Sequence, residues 1–235
     1  PLDSSGQRYK WHVCPCCVGN IPRTLLMVPT WTYVTSASGI YVNLFIGSTI
    51  NGERVAGTDV QMVQQTDYPW SGNISITVKP KENKEFTVYV RIPDRKVSDL
   101  YTSVPRVEGY KSFSVNGKAM KPKIEKGYAI VTRTWAPGDH IDMELPMVPQ
   151  RVTADANISA DTGRMALRYG PLIYNIERAD QAGEMTQAIG DAPLKAEWRP
   201  DMLDGVTAER RKESRLSCQI RVTPALAGMV ITIPA

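Results

Sequence analysis

Two observations make the chain mainly β. Beyond Trp31, apolar residues recur at every second position through several runs, and turn-forming pairs separate those runs. The first thirty residues follow a different rule. There Asn20 stands where a helix N-cap belongs, Ile21, Leu25 and Val28 follow at helical spacing, and Pro29 is expected to end the helix. Cysteines immediately ahead of such a helix would meet the positive end of its dipole, which favours a thiolate.

The strands are read from alternation. Ile74, Ile76 and Val78 alternate with Ser75 and Thr77. Phe86, Val88, Val90 and Ile92 alternate with Thr87, Tyr89 and Arg91. Ile141, Met143, Leu145 and Met147 alternate with His140, Asp142 and Glu144. Turns are expected at Ser38-Gly39, Asn51-Gly52, Ser71-Gly72, Asn116-Gly117 and Pro137-Gly138-Asp139. Many short strands so spaced argue for sandwiches of antiparallel sheets. A boundary is expected between residues 146 and 153, where Pro149 interrupts the pattern. Strand-like runs follow at 164–168 and 172–177, and the polar stretch 179–212 reads as a long loop. Closing strands are expected at 216–222 and 229–233, with Cys218 on an apolar face as a core residue.

The bulk composition narrows the function classes. At 235 residues and 42% hydrophobic the chain can bury a real core. A net charge of +4, with no basic run, gives no footprint for nucleic acid. No apolar stretch nears the roughly 20 residues needed to span a bilayer. The polar opening Pro1-Leu2-Asp3-Ser4-Ser5 lacks a signal-peptide pattern and reads as the interior of a longer protein. Four cysteines are too few for a disulfide framework, and Cys14, Cys16 and Cys17 fall within four positions.

That cluster, Trp11-His12-Val13-Cys14-Pro15-Cys16-Cys17-Val18-Gly19-Asn20-Ile21-Pro22-Arg23, admits three readings. The thiols could be inert in a buried loop. A structural zinc site would need four ligands, with His12 as an added candidate, but no second cysteine pair is present. A catalytic thiolate activated by zinc and a helix N-terminus is the sharper reading.

The stretch Cys16-Cys17-Val18-Gly19-Asn20-Ile21-Pro22-Arg23 resembles the Cys-Cys-Pro-Pro-Asn-x-x-Arg motif of the β-L-arabinofuranosidase group, glycoside hydrolase family 127 and its relatives. Further matches run in the family's order: Tyr41-Val42-Asn43-Leu44-Phe45, Gln65-Thr66-Asp67-Tyr68-Pro69-Trp70, Arg91-Ile92-Pro93, Val115-Asn116-Gly117, Trp135-Ala136-Pro137-Gly138-Asp139, and Ala166-Leu167-Arg168-Tyr169-Gly170-Pro171-Leu172-Ile173-Tyr174. Together they cover roughly three quarters of the chain. The resemblance implies two antiparallel β-sandwich domains, 32–148 and 149–235, preceded by a short helical remnant (1–31) of a catalytic (α/α)6 barrel. By position it makes Cys16 the nucleophile and Cys17 a zinc ligand. The other zinc ligands and the glutamate acid/base would come from the upstream barrel portion of the same protein, so the chain alone is expected to be inactive. The implied substrate is a carbohydrate, an L-arabinofuranoside or a related sugar. A bacterial periplasmic or extracellular location is favoured over a cytoplasmic one.

The sequence departs from the family where Val18-Gly19 replaces two prolines and where 224–228 is short. Cys14 has no role in the motif. Asn20 and Arg23 are expected to support the thiol loop. Tyr68 and Trp70 could form a platform for a sugar ring, although a packing corner is the favoured reading. Arg168 and Tyr169 are expected to position the second sandwich. The rival functional classes are a carbohydrate-binding module using Tyr68 and Trp70 without Cys16, and a purely structural buttress.

Overall fold

A computed structural model describes residues 16–94, 99–174, 193–198 and 230–233. It opens with helix α1 (Cys16–Thr32). Fifteen strands follow through residue 174: β1 (Tyr33–Ser36), β2 (Gly39–Val42), β3 (Ser48–Val55), β4 (Thr58–Thr66), β5 (Asn73–Pro80), β6 (Lys84–Arg91), β7 (Tyr101–Val104), β8 (Ser112–Val115), β9 (Lys118–Ala119), β10 (Lys123–Glu125), β11 (Tyr128–Trp135), β12 (Asp139–Glu144), β13 (Pro149–Ala154), β14 (Met165–Tyr169) and β15 (Leu172–Tyr174). Two more, β16 (Lys195–Trp198) and β17 (Val230–Ile233), complete the described residues.

The first sandwich has a five-stranded sheet, β1-β2-β6-β11-β10, and a six-stranded sheet, β3-β4-β5-β12-β8-β9. All neighbours are antiparallel except β2 and β6, which run parallel. The two inner faces supply one core. Ile40, Val88, Val90 and Trp135 come from the first sheet, and Met62, Ile76, Val78 and Ile141 from the second, all at 0% exposure. Trp135 keeps its indole satisfied by donating to the Phe86 carbonyl at 3.0 Å. The alternation expected over 74–78 is the inward face of β5. The run over 141–147 leaves the ladder at Glu144, just before Pro146, yet Leu145 remains 2% exposed.

Turn positions are partly as expected. Asn116-Gly117 turns between β8 and β9 with φ of 51° and 73°. Asn51-Gly52 does not turn. It lies inside β3, with Asn51 opposite Gln61 and its Oδ1 accepting from Gln61 Nε2 at 3.0 Å. The reversal comes at Ala56-Gly57, with φ of 49° and 87°. Burial of Val55, Val60 and Met62 sets this register and overrides the local Asn-Gly preference.

Pro149 opens β13 instead of interrupting the pattern, a position where a missing N–H is tolerated. A four-stranded antiparallel sheet, β15-β14-β13-β7, forms here. Its edge strand β7 comes from within the 32–148 segment and pairs with β13, Val152 opposite Ser103. Gln150, 0% exposed, donates to the Pro105 carbonyl at 2.6 Å and accepts from Arg168 Nε and Nη2 at 3.0 and 2.9 Å. Arg168 thus locks neighbouring strands together, in keeping with a structural role. The stretch 179–212 is not loop throughout, because β16 lies in it and pairs in parallel with β17. Its composition hid a short strand whose partner lies far along the chain. The strand expected at 216–222, with Cys218, lies outside the described residues. No described helix is long and apolar enough to cross a membrane.

Candidate active site

Cys16 and Cys17 occupy the first turn of α1 rather than the loop before it. Cys16 is exposed, and the first turn of α1 carries no acidic residue. Asn20 is not the cap. It lies one turn into the helix, where its Oδ1 accepts from Arg23 Nη1. The structure thus brings the two expected supporting residues together directly beneath the cysteine turn. Cys14, His12 and Trp11 lie outside the described residues.

Nor does Pro29 end α1, which contains both Pro22 and Pro29 and runs to Thr32. Pro29 deprives only the Leu25 carbonyl of its amide donor. Side-chain hydroxyls also serve carbonyls of the last turns: Thr30 Oγ1 donates to Met27 O at 2.7 Å and Thr32 Oγ1 to Val28 O at 3.1 Å. The last two are capped from the sandwich. Asn43 Nδ2 donates to Trp31 O at 3.2 Å and Asn43 N to Thr32 O at 2.9 Å. Most described side chains of α1 are nevertheless in solvent, with Ile21, Leu25 and Leu26 exposed to 60%, 65% and 79%.

Tyr68 and Trp70 sit on the β4–β5 loop, both half-buried. The Tyr68 ring packs edge-on to Phe45, centroids 5.7 Å apart, and against the core. Trp70 N donates to the Asp67 carbonyl at 2.8 Å, closing the turn. Beside this loop, the outer face of the six-stranded sheet holds an open groove of about 430 Å³. Gln65, Ser75, Asp142 and Ser114 form its floor as one register row across four strands. Ser75 Oγ donates to Asp142 Oδ1 at 2.7 Å, and Glu144 pairs with Lys111 at the rim. Neither Tyr68 nor Trp70 is among the described lining residues. The outward polar positions of β4, β5, β8 and β12 encode this groove, but only their pairing order lines them up.

At the β11–β12 turn, Asp139 accepts from Ala136 N at 3.0 Å and Asn116 Nδ2 at 2.8 Å, with Arg133 Nη2 at 3.4 Å. Burial pushes its carboxyl up, but these donors and the positive charge of Arg133 outweigh burial and hold it below the ordinary carboxylate value. This is a structural carboxylate in a turn.

Among the described residues, no group of three or more His, Cys, Asp or Glu is placed to hold a metal. A cysteine pair offers soft sulfur donors suited to zinc, but a complete zinc site requires ligands beyond it.

The profile for the GH127 β-L-arabinofuranosidase middle domain matches residues 39–147, and that for the glycoside hydrolase family 127 C-terminal domain matches 149–227. The chain belongs to glycoside hydrolase family 127. A non-reducing end β-L-arabinofuranosidase from Bifidobacterium longum subsp. longum is 27% identical over 209 residues, 85% of this chain and 30% of that protein. The crystal structure of a GH127 β-L-arabinofuranosidase from Geobacillus stearothermophilus T6 is 31% identical with a TM-score of 0.61, over 72% of this chain and 25% of its own. A second GH127 β-arabinofuranosidase structure is 30% identical with a TM-score of 0.65, over 71% and 27%. This GH127 chain therefore spans less than a third of the length of each of these relatives.

Proposed function

We propose that this chain is the C-terminal part of a zinc-dependent retaining cysteine glycosidase acting on L-arabinofuranosides or related sugars. The observation that carries the reading is the Cys16-Cys17 pair in the first turn of a helix that leads directly into the GH127 middle-domain match. The activities of the β-L-arabinofuranosidases it resembles support the sugar class.

In this reading the Cys16 thiolate attacks the anomeric carbon, forming a C–S bond as the glycosidic C–O bond breaks. A carboxylic acid from the upstream part of the protein gives its proton to the leaving oxygen. The same carboxylate then takes a proton from water as that water displaces sulfur, returning the thiolate and a sugar of retained configuration. Two features of this chain serve the first step. The helix N-terminus favours the anionic nucleophile, and the Asn20–Arg23 contact ties down the turn beneath it. Cys17 would hold zinc, with the remaining ligands from upstream, and the metal would supply charge stabilisation near the sulfur. Trp70, half-buried on the loop beside the polar groove, is the side chain proposed to contact a sugar ring. The Tyr68 ring is already engaged with Phe45.

Exposure of Ile21, Leu25 and Leu26 also favours an upstream partner domain that covers α1. The test is hydrolysis of an aryl arabinofuranoside. Residues 1–235 alone should give no turnover. The protein with its upstream part should be active, and Cys16→Ala should lower kcat by about 1,000-fold or more. Turnover by the isolated chain, or full activity of Cys16→Ala, would sink the reading.

A further inference from the structure

The Tyr41-Val42-Asn43-Leu44-Phe45 segment takes no part in the chemistry above, yet Asn43 links two elements by three hydrogen bonds. Its Nδ2 and backbone N cap the Trp31 and Thr32 carbonyls at the end of α1, at 3.2 and 2.9 Å. Its Oδ1 accepts from the Tyr128 hydroxyl at 2.8 Å, across to β11. Tyr128 is itself fixed, because it meets Tyr41 edge-on at 5.3 Å, and Tyr41 stacks on Tyr89 at 4.0 Å with 5° between planes. These rings stand on β2, β6 and β11, neighbouring strands of one sheet. The helix end is therefore tied to the middle of a sheet through Asn43, by its backbone and its side chain together.

We infer that Asn43 and Tyr128 are positioning residues: a joint that sets the direction in which α1 leaves the sandwich and so places Cys16. The assignment rests on Cys16 being the nucleophile. The lever is long, since Cys16 lies about 24 Å along the helix from Thr32. A tilt of about 5° at the joint moves the far end by about 2 Å, and misplacement of about 1 Å can cost a reaction on the order of 100-fold. Apart from its direct run into β1, few contacts between α1 and the sandwich compete with the joint, because the described α1 side chains up to Trp31 are exposed except for half-buried Val28.

The full-length protein, with its upstream part in place, gives the test through Asn43→Ala and Tyr128→Phe. Asn43→Ala should raise amide hydrogen exchange in the last two turns of α1 by about fivefold, leaving β5 and β12 unchanged. It should lower kcat by about 100-fold with KM within about twofold. Tyr128→Phe keeps the cap but loses the tether, so kcat should fall by about 10-fold with α1 exchange unchanged. Unchanged kcat in both variants overturns the joint. So does faster exchange across β5 and β12, which would mark general loosening of the sandwich. Full activity of Cys16→Ala would refute the nucleophile instead, and exchange in α1 would then decide the joint alone.

Discussion

Helix α1 and strand β5 both carry large aliphatic side chains, which meet opposite fates. Ile74, Ile76 and Val78 on β5 are between 0% and 2% exposed, whereas Ile21, Leu25 and Leu26 on α1 range from 60% to 79%. The sandwich closes its own core from two sheets. Among the described residues the helix has no facing layer, and an apolar helix gains stability mainly from tertiary packing. The sandwich buries its own core, whereas the described apolar side chains of α1 stay largely in solvent.

The contrast can be broken most forcefully in the core. Trp135→Ala removes a fully buried ring and its bond to the Phe86 carbonyl, and should cost about 3–5 kcal/mol in urea unfolding of the chain. A loss under about 1 kcal/mol would mean the sandwich does not carry the stability assigned to it.

How much of this could be read from the sequence depended on how local the cause was. The period-two runs of β5 and β12 were legible, because one face of each strand meets the core and the other meets solvent. The adjacency of Cys16 and Cys17 was legible as spacing alone. The end of α1 was not, since Thr30, Thr32 and Asn43 supply donors that let the helix continue past Pro29. Asn43 does so from eleven positions beyond Thr32, a distance that helical periodicity cannot report. The turn at Ala56-Gly57 was hidden for the same reason, because its place is set by burial of Val55 and Val60. The groove floor required the order in which β4, β5, β12 and β8 pair.

A middle-sized effect is expected at Asp139. Its folded value lies below the ordinary carboxylate value, so its contribution is complete above the unfolded pKa of about 3.9 and is lost as pH falls through the folded value. Asp139→Asn should cost about 1 kcal/mol at pH 7, and the difference from the parent should shrink below about pH 4. A pH-independent difference would show that the turn relies on shape rather than charge. The smallest effect is expected on the helix: Leu25→Gln with Leu26→Gln should shift the unfolding free energy of the chain by less than about 0.5 kcal/mol. A larger loss would reveal a partner for α1 within the chain itself and erase the contrast.

The loan of β7 to the sheet of β13 and β14 has a consequence for cutting or recombining this chain. A piece ending at residue 148 would carry β7 with its pairing edge bare, an invitation to aggregation, and a piece beginning at 149 would lack an edge strand of its sheet. The two family segments meet at 147 and 149 in sequence, but their backbones are interleaved. A seam visible in sequence is here not a place where the described backbone comes apart.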